Sequence, residues 1–135
     1  MHKQSYLALL QQAEQAKERA YVPYSHFRVG ACLLCEDGRM FSGCNVENAS
    51  YGATLCAERT ALVKAVSEGA RAFTALALTS DQKEPIFPCG MCLQVLCEFG
   101  DFPILISGTD IHQYQIFMLH ELIPHAFTPA ALQGE

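Results

Sequence analysis

The sequence predicts an α/β protein in which a layered sheet carries helices packed on its faces. Three observations lead to this prediction: an opening segment with helically spaced apolar residues, two apolar runs joined by an Asp-Gly turn, and a later alternation of helical and extended segments. Taken in order, the elements are αββαβαββ. The 135 residues contain no linker or composition shift, so we expect a single domain covering residues 1–135.

The first half of the chain predicts one helix and a hairpin. Apolar residues at helical spacing indicate a helix over Ser5–Ala20, and Pro23 is expected to end it. Phe27–Cys35 has the composition of a mostly buried strand. The Asp-Gly signal in Glu36–Arg39 predicts a tight turn into a second strand, Met40–Glu47, which should pair antiparallel with the first.

The second half predicts two helices and three strands. A helix is expected over Cys56–Glu68, ended by Gly69, with three alanines on one face that allow close packing. A third helix should begin at the Pro88–Cys92 motif and end at Gly100. The three alanines are Ala57, Ala61 and Ala65. The three strands are expected over Phe73–Thr79, Pro103–Ser107 and Tyr114–Leu119.

Composition and charge limit the classes of function. Half of the residues are apolar and 17% are charged, as in an ordered globular protein, and part of the apolar excess is expected at a subunit interface. The net charge of −5 and the lack of any Lys/Arg run argue against a polymeric nucleic acid partner. The segment Met1–Tyr6 does not have the pattern of a signal peptide, and no apolar run approaches the ~18 residues of a membrane span. We therefore expect a soluble, cytoplasmic protein.

Three of the seven cysteines are candidate metal ligands. An odd number of cysteines in such a chain favours thiols over a disulfide framework. Cys89 and Cys92 form a Cys-x-x-Cys pair, which alone is equally compatible with a redox motif. Cys56 and Cys89 should both lie at helix N-termini, where the helix dipole stabilises thiolates and favours metal binding. Three ligands fit a catalytic zinc ion, because a catalytic site leaves one position open for water.

The histidines and the other cysteines offer no convincing ligand. Each histidine is expected to be a surface or capping residue, because none belongs to a partner motif. The other cysteines are expected to be small buried apolar residues. The histidines are His2, His26, His112, His120 and His125. The other cysteines are Cys32, Cys35, Cys44 and Cys97.

Two charged residues follow Cys56 and are candidates for chemistry. On a regular helix Glu58 would point about 200° away from Cys56, so it reaches the metal only if Cys56 lies in the first turn. There it could move a proton to a substrate nitrogen and then to a leaving amine. Three thiolates give a zinc site a formal charge of about −1, which a guanidinium from Arg59 would partly offset. For both residues the alternative is an ordinary solvated helix side chain.

Two motifs together carry a family resemblance. Cys56–Arg59 followed by Pro88–Cys92 resembles the zinc-dependent cytidine deaminases, specifically the small homotetrameric class whose metal is held by three cysteines. The resemblance extends over Tyr24–Ala31, Gly43–Asn48 and Pro124–Phe127. It implies a three-layer αβα sandwich around a mixed five-stranded sheet. It also implies zinc-dependent hydrolysis of cytidine and 2'-deoxycytidine to the uridines with release of ammonia, as in pyrimidine salvage.

The resemblance also implies residue roles. Glu58 would carry the proton to N3 and then to the departing ammonia. Asn45 and Glu47 would hold the ribose hydroxyls, and period two on a strand does put them on one face, although two exposed polar residues would show the same pattern. Without the resemblance, core packing is the simpler reading of the phenylalanines. The other implied pocket residues are Phe27 beside the pyrimidine, Tyr51 by position, the Ala57 amide and a carbonyl near Pro88 at the base edge, and Phe127 in a neighbouring subunit's site.

One departure and several alternatives remain. Many relatives have Arg-Gln where this chain has Leu93-Gln94, which puts in doubt any subunit contact made by that arginine. A deaminase of an aminated nucleoside antibiotic such as blasticidin S would share the zinc motif. A zinc-stabilised binding module without turnover, or an RNA-editing subunit, is the alternative from another class. Glu58 argues against the binding module and the acidic charge against the editing subunit.

Overall fold

The computed structural model describes residues 3–132. It contains a five-stranded sheet with strand order β2-β1-β3-β4-β5, in which β3 and β4 are parallel and all other neighbours are antiparallel. The elements are α1 (Lys3–Lys17), β1 (Val29–Cys35), β2 (Met40–Cys44), a 3₁₀ turn (Tyr51–Ala53), α2 (Ala57–Ser67), β3 (Phe73–Ser80), α3 (Gly90–Cys97), β4 (Pro103–Ser107), β5 (Tyr114–Met118), α4 (Leu119–Leu122) and α5 (Pro129–Leu132). The predicted order of the first eight elements is confirmed.

The sheet lies between two helical layers, because alternate residues of its strands point to opposite faces. On one face, apolar residues of α1 pack on Cys32 of β1 and on Ala75 and Ala77 of β3. On the other face, α2 and α3 pack on residues such as Leu33 and Leu76. This arrangement confirms the three-layer αβα sandwich. No helix within residues 3–132 is both long and apolar enough to cross a membrane.

The end predicted for the first helix was wrong. α1 ends at Lys17, well before Pro23, because the amide groups of the next three residues bond to carbonyls three residues back and tighten the chain into a turn. These three amide groups belong to Glu18, Arg19 and Ala20. Proline therefore follows the helix end without causing it.

The predicted first strand began too early and the second ended too late, and Asn45 explains both. Its side-chain Oδ1 accepts from the Val29 amide at 2.9 Å, and its Nδ2 donates to the Phe27 carbonyl at 2.9 Å. A side-chain amide thus replaces the ladder partner that a neighbouring strand would supply, so β1 begins at Val29. Beyond β2, Val46 forms only isolated bridges, to Tyr21 and Leu55.

α2 begins and ends where the sequence predicts. α3 begins at the predicted motif but ends at Cys97, three residues before the predicted Gly100, because the next three amides bond to carbonyls three residues back. Cys56 is the N-cap of α2 and Cys89 the N-cap of α3, both in extended conformation. Gly69 and Gly100 follow the helices with φ angles of 98° and 116°, which only glycine adopts readily. Ala57, Ala61 and Ala65 of α2 are fully buried. Both predicted cysteines therefore lie at helix N-termini on the same side of the sheet.

Candidate functional site

Three cysteine sulfurs form a cluster at the N-termini of α2 and α3. The Sγ atoms of Cys56, Cys89 and Cys92 all lie within 4.8 Å of one another, and those of Cys56 and Cys89 are 3.9 Å apart. Two thiolates on one tetrahedral zinc ion, each at about 2.3 Å, would be separated by about 3.8 Å. The spacing and the soft donor atoms therefore fit zinc. All seven cysteines are free thiols, as expected.

Other candidate ligands do not join this cluster. Within residues 3–132 no histidine or carboxylate completes a metal-binding group with the three cysteines, and His2 lies outside the described residues. Among the other cysteines, Cys32 and Cys35 are buried as expected, whereas Cys44 and Cys97 are only half-buried. The expectation of burial was wrong for these two, which sit near the edges of the core rather than inside it.

The cysteine thiols compete for a proton. A hydrogen bond from the Cys92 thiol, assisted by the charge of Arg59, lowers the pKa of Cys56 to about 5. The same pairing with Cys56, together with burial, raises the pKa of Cys92 well above its usual value. A divalent cation can replace the shared proton and hold every sulfur as a thiolate.

Arg59 lies against the cluster. A terminal guanidinium nitrogen of Arg59 donates to Cys56 Sγ and to the Thr54 carbonyl, both at 3.5 Å. Its Nε is buried without a hydrogen-bond partner among the described residues. The hydrogen bond to Cys56 raises the pKa of Arg59, so the positive charge beside the sulfurs is permanent.

Glu58 is the buried carboxyl group of the site, with 4% of its surface exposed. Because Cys56 is the N-cap of α2, it lies outside the helical path, and the 200° offset expected on a regular helix does not apply. Burial raises the pKa of Glu58 to about 7, and the negative charge of Cys56 acts in the same direction. A carboxyl group with this pKa can take up and release a proton near neutral pH.

Asn45 and Glu47 hold a short segment of chain, Tyr24–Val29, through hydrogen bonds from their side chains. Glu47 Oε1 accepts from the amides of Tyr24 at 3.0 Å and Ser25 at 3.1 Å, and Oε2 accepts from the Ser25 hydroxyl. Asn45 bonds to the Phe27 carbonyl and the Val29 amide. The two polar side chains thus serve the backbone that presents Phe27.

A cavity of about 270 Å³ opens beside this segment. Two tyrosine rings border it, those of Tyr24 and Tyr51, with centroids 5.7 Å apart in an edge-to-face arrangement. Thr54 also borders it, and the Thr54 carbonyl receives the hydrogen bond of Arg59. The cavity is thereby linked to the cysteine cluster by one residue. Ser25 also lines the cavity, beside Glu47. The sequence analysis gives Ser25 no role, although Tyr24-Ser25 belongs to the stretch that carries the family resemblance.

The other expected pocket residues divide by burial. Phe27 is half-buried against the core cluster of α2 and α3, while Ala57 and Pro88 are buried next to the cysteine caps. As the first residue of α2, Ala57 has an amide group that no helical carbonyl accepts from. Tyr51 is 73% exposed and Phe127 is 59% exposed.

Phe127 is tethered by a residue whose role the sequence did not reveal. Its amide donates to Gln94 Oε1 at 3.2 Å, and its carbonyl accepts from Gln94 Nε2. Gln94 lies on α3, two residues after Cys92, so the segment around Phe127 is fixed to the helix that carries Cys92. Leu93 is buried in the core.

Comparisons with known proteins agree on one family. Residues 3–107 match the family model described as the cytidine and deoxycytidylate deaminase zinc-binding region. The chain is 48% identical over 124 residues to a cytidine deaminase of Sporosarcina psychrophila, with 89% of each chain covered. It is 50% identical over 122 residues to the cytidine deaminase of Halalkalibacterium halodurans, covering 89% of this chain and 92% of that one.

A solved structure has the same fold. The crystal structure of cytidine deaminase from Burkholderia pseudomallei superimposes with a TM-score of 0.86 at 43% identity. The match covers 94% of this chain and 100% of the other. The similarity therefore includes the sheet, both helical layers and the segments that carry the cysteine cluster.

Proposed function

This chain belongs to the cytidine and deoxycytidylate deaminase family, and we propose that it hydrolyses cytidine and 2'-deoxycytidine to uridine and 2'-deoxyuridine with release of ammonia. One observation carries the proposal: three thiol groups spaced to hold zinc lie beside a carboxyl group that is almost fully buried and has a pKa of about 7. The names of the curated relatives support the choice of cytidine.

The proposed mechanism assigns proton transfer to Glu58. Cys56, Cys89 and Cys92 would hold Zn²⁺, which would supply the Lewis acidity that makes water a nucleophile near neutral pH. The Glu58 carboxylate accepts the proton that this water gives up and delivers it to N3 of the base as the C–O bond forms at C4. It then takes the proton of the new C4 hydroxyl group to the amine, which leaves as ammonia when the C–N bond breaks and the C4 carbonyl forms. Its pKa of about 7 suits both directions of transfer.

Arg59 tunes the charge of the thiolate set. Three thiolates with one Zn²⁺ carry a formal charge of about −1, which weakens the metal as a Lewis acid. The hydrogen bond from Arg59 to Cys56 Sγ withdraws part of this charge. Its second bond, to the Thr54 carbonyl, keeps the guanidinium in place.

Substrate binding is assigned to the cavity side of the site. We infer that Asn45 and Glu47 orient the ribose, that Phe27 packs against the pyrimidine and that Tyr51 closes the pocket. The Ala57 amide and the Pro88 carbonyl read the base edge. The support is that Glu47 and Tyr51 line one cavity and that Ala57 and Pro88 flank the cysteine caps.

A homotetramer is the assembly we propose. Several large apolar side chains near the site are exposed in the single chain, which indicates surfaces that another subunit would cover. Phe127 in particular is held outward by Gln94 and could complete a neighbouring site. The exposed apolar residues are Tyr24, Tyr51, Phe87, Met91 and Phe127.

The test is an ultraviolet and ammonia-release assay with cytidine. The zinc-loaded protein should convert cytidine to uridine, and a chelator should abolish the conversion until zinc is restored. Glu58→Gln should bind zinc at the wild-type ratio and lose about 10²–10⁴-fold in kcat. Blasticidin S at equal concentration serves as the competing substrate. Preference for blasticidin S, or rapid turnover by Glu58→Gln, would refute the proposal.

A further inference from the structure

Ser25 makes two hydrogen bonds that tie the sugar side of the pocket to the base side. Its hydroxyl accepts from the Phe27 amide at 3.0 Å and donates to Glu47 Oε2. A hydroxyl group has a single proton, and an ionised carboxylate can only accept, so the direction of the bond to Glu47 is fixed. The hydrogen bonds from Ser25 and Tyr24 also lower the pKa of Glu47, which keeps it ionised.

The acceptor capacity of Glu47 is nearly used up by the protein. A carboxylate offers about four acceptor positions, two on each oxygen. Oε1 receives two backbone donors, the amides of Tyr24 and Ser25, and Oε2 receives the Ser25 hydroxyl. One position on Oε2 therefore remains, and Glu47 lines the cavity. Without the Ser25 hydroxyl, Oε2 would have two open positions, and the protein would hold the carboxylate through Oε1 alone.

We propose that Ser25 is a positioning residue that holds the Glu47 carboxylate with one acceptor site directed at a ring hydroxyl of the sugar, and so makes the enzyme selective for hydroxylated nucleosides. The inference rests on the proposed function. It adds a residue that does not itself touch the base or the metal. Packing does not account for Ser25, because its side chain is exposed and belongs to neither core cluster.

The test compares two substrates that differ only at the sugar. We expect Ser25→Ala to lower kcat/KM for cytidine about tenfold, mainly through KM, because a charged hydrogen bond loses its orientation. For 2',3'-dideoxycytidine, which has no ring hydroxyl to offer Glu47, the same variant should change kcat/KM less than about twofold. Ser25→Thr retains the hydroxyl and should restore selectivity. An equal loss on both substrates, no loss on cytidine, or a Ser25→Thr variant that behaves like Ser25→Ala would overturn the inference.

Ser67→Ala is the matched control. Ser67 is also exposed and its hydroxyl makes one hydrogen bond, to the Lys64 carbonyl at 2.8 Å, at the far end of α2. In Ser67→Ala, kcat/KM for cytidine and kcat/KM for 2',3'-dideoxycytidine should both stay at wild-type values.

Calorimetric binding of uridine and 2',3'-dideoxyuridine separates the two proposals. If the wild-type protein releases no ammonia but binds uridine in a Ser25- and hydroxyl-dependent way, the proposed reaction fails while the role of Ser25 stands. If cytidine is deaminated but the affinities for uridine and its dideoxy analogue respond equally to Ser25→Ala, the role of Ser25 fails alone. A protein that binds neither nucleoside overturns both.

Discussion

Gly43 is where the sheet contacts α2, the helix that begins after Cys56. A Cβ atom added at Gly43 would lie 2.5 Å from the Ala61 amide nitrogen and 2.7 Å from the Ala57 carbonyl oxygen. Both are backbone atoms of α2, so no side-chain rotation can relieve the overlap. Because non-bonded contacts are comfortable only beyond about 3.5 Å, Gly43→Ala should push α2 away by about 1 Å.

The cost of that movement can be worked out. Overpacking of this kind costs about 1–3 kcal/mol. At an unfolding entropy of about 2.1 cal/mol/K per residue, this chain should lose about 4–11 °C in Tm. Cys56 and Glu58 move with α2, whereas Cys89 and Cys92 stay with α3. A metal site tolerates only about ±0.2 Å in its ligand distances, so zinc affinity should fall as well.

The assay measures Tm and zinc bound per folded chain. Gly30→Ala is the matched control, because a Cβ there would lie 2.0 Å from the Ala13 carbonyl of α1, on the opposite face of the sheet. Gly30→Ala should destabilise the protein at least as much, yet its folded fraction should retain zinc at the wild-type ratio. Wild-type Tm and zinc content in Gly43→Ala would refute the reasoning that this contact positions α2.

Three further predictions concern single side chains. Arg59→Ala should keep its fold and zinc but lose about tenfold or more in kcat, since the thiolate charge is no longer offset; unchanged kcat with full zinc content would contradict this. Arg28 lowers the pKa of Asp81 through hydrogen bonds, so the stabilisation from Asp81 should be present above pH ~4 and be lost as pH falls through the lowered folded pKa. The Tm gap between wild type and Asp81→Asn at pH 7 should then shrink in acid, and a gap that widens would reverse the assigned sign. Gln94→Ala should speed hydrogen exchange at the Phe127 amide but not at the Ala131 amide, which bonds to Thr128; equal protection in both proteins would rule out the tether.

Local sequence signals predicted the elements that depend on local physics. The end of α2 before Gly69 and the turn at Gly38 follow from glycine conformations that the sequence indicates, whereas α3 ends three residues before Gly100. The cysteine caps followed from motif spacing. The limits of β1 and β2 did not, because they depend on hydrogen bonds between residues distant in sequence. Asn45, for example, lies 16 residues from Val29, whose amide it binds, and no periodicity encodes such a pairing. The end of α1 was also missed, although the hydrogen bonds that tighten the chain there span only three residues.

The same limit applies within the site. Glu58 and Arg59 were found because they adjoin Cys56 in sequence. Gln94 was missed because its partner, Phe127, lies 33 residues away, and Ser25 was missed because Glu47 lies 22 residues away. Polar residues that act on other residues carry no local pattern of their own. Only the fold shows which acceptor each of them faces.

The residues proposed to bind the sugar also hold the segment Tyr24–Val29, so replacing them with alanine would disturb this segment as well. Asn45 bonds to the backbone at both ends of its amide, so Asn45→Ala would remove the proposed sugar contact and also free Phe27. Loss of activity in that variant should come with a lower Tm and would not separate the two causes. The Ser25 hydroxyl is exposed, and the backbone amides that bind Glu47 remain after its removal. Ser25→Ala removes one bond to the Glu47 carboxylate and one to the Phe27 amide, while the bonds of Asn45 to the Phe27 carbonyl and the Val29 amide keep the segment anchored. It is therefore the milder probe of the proposed sugar recognition.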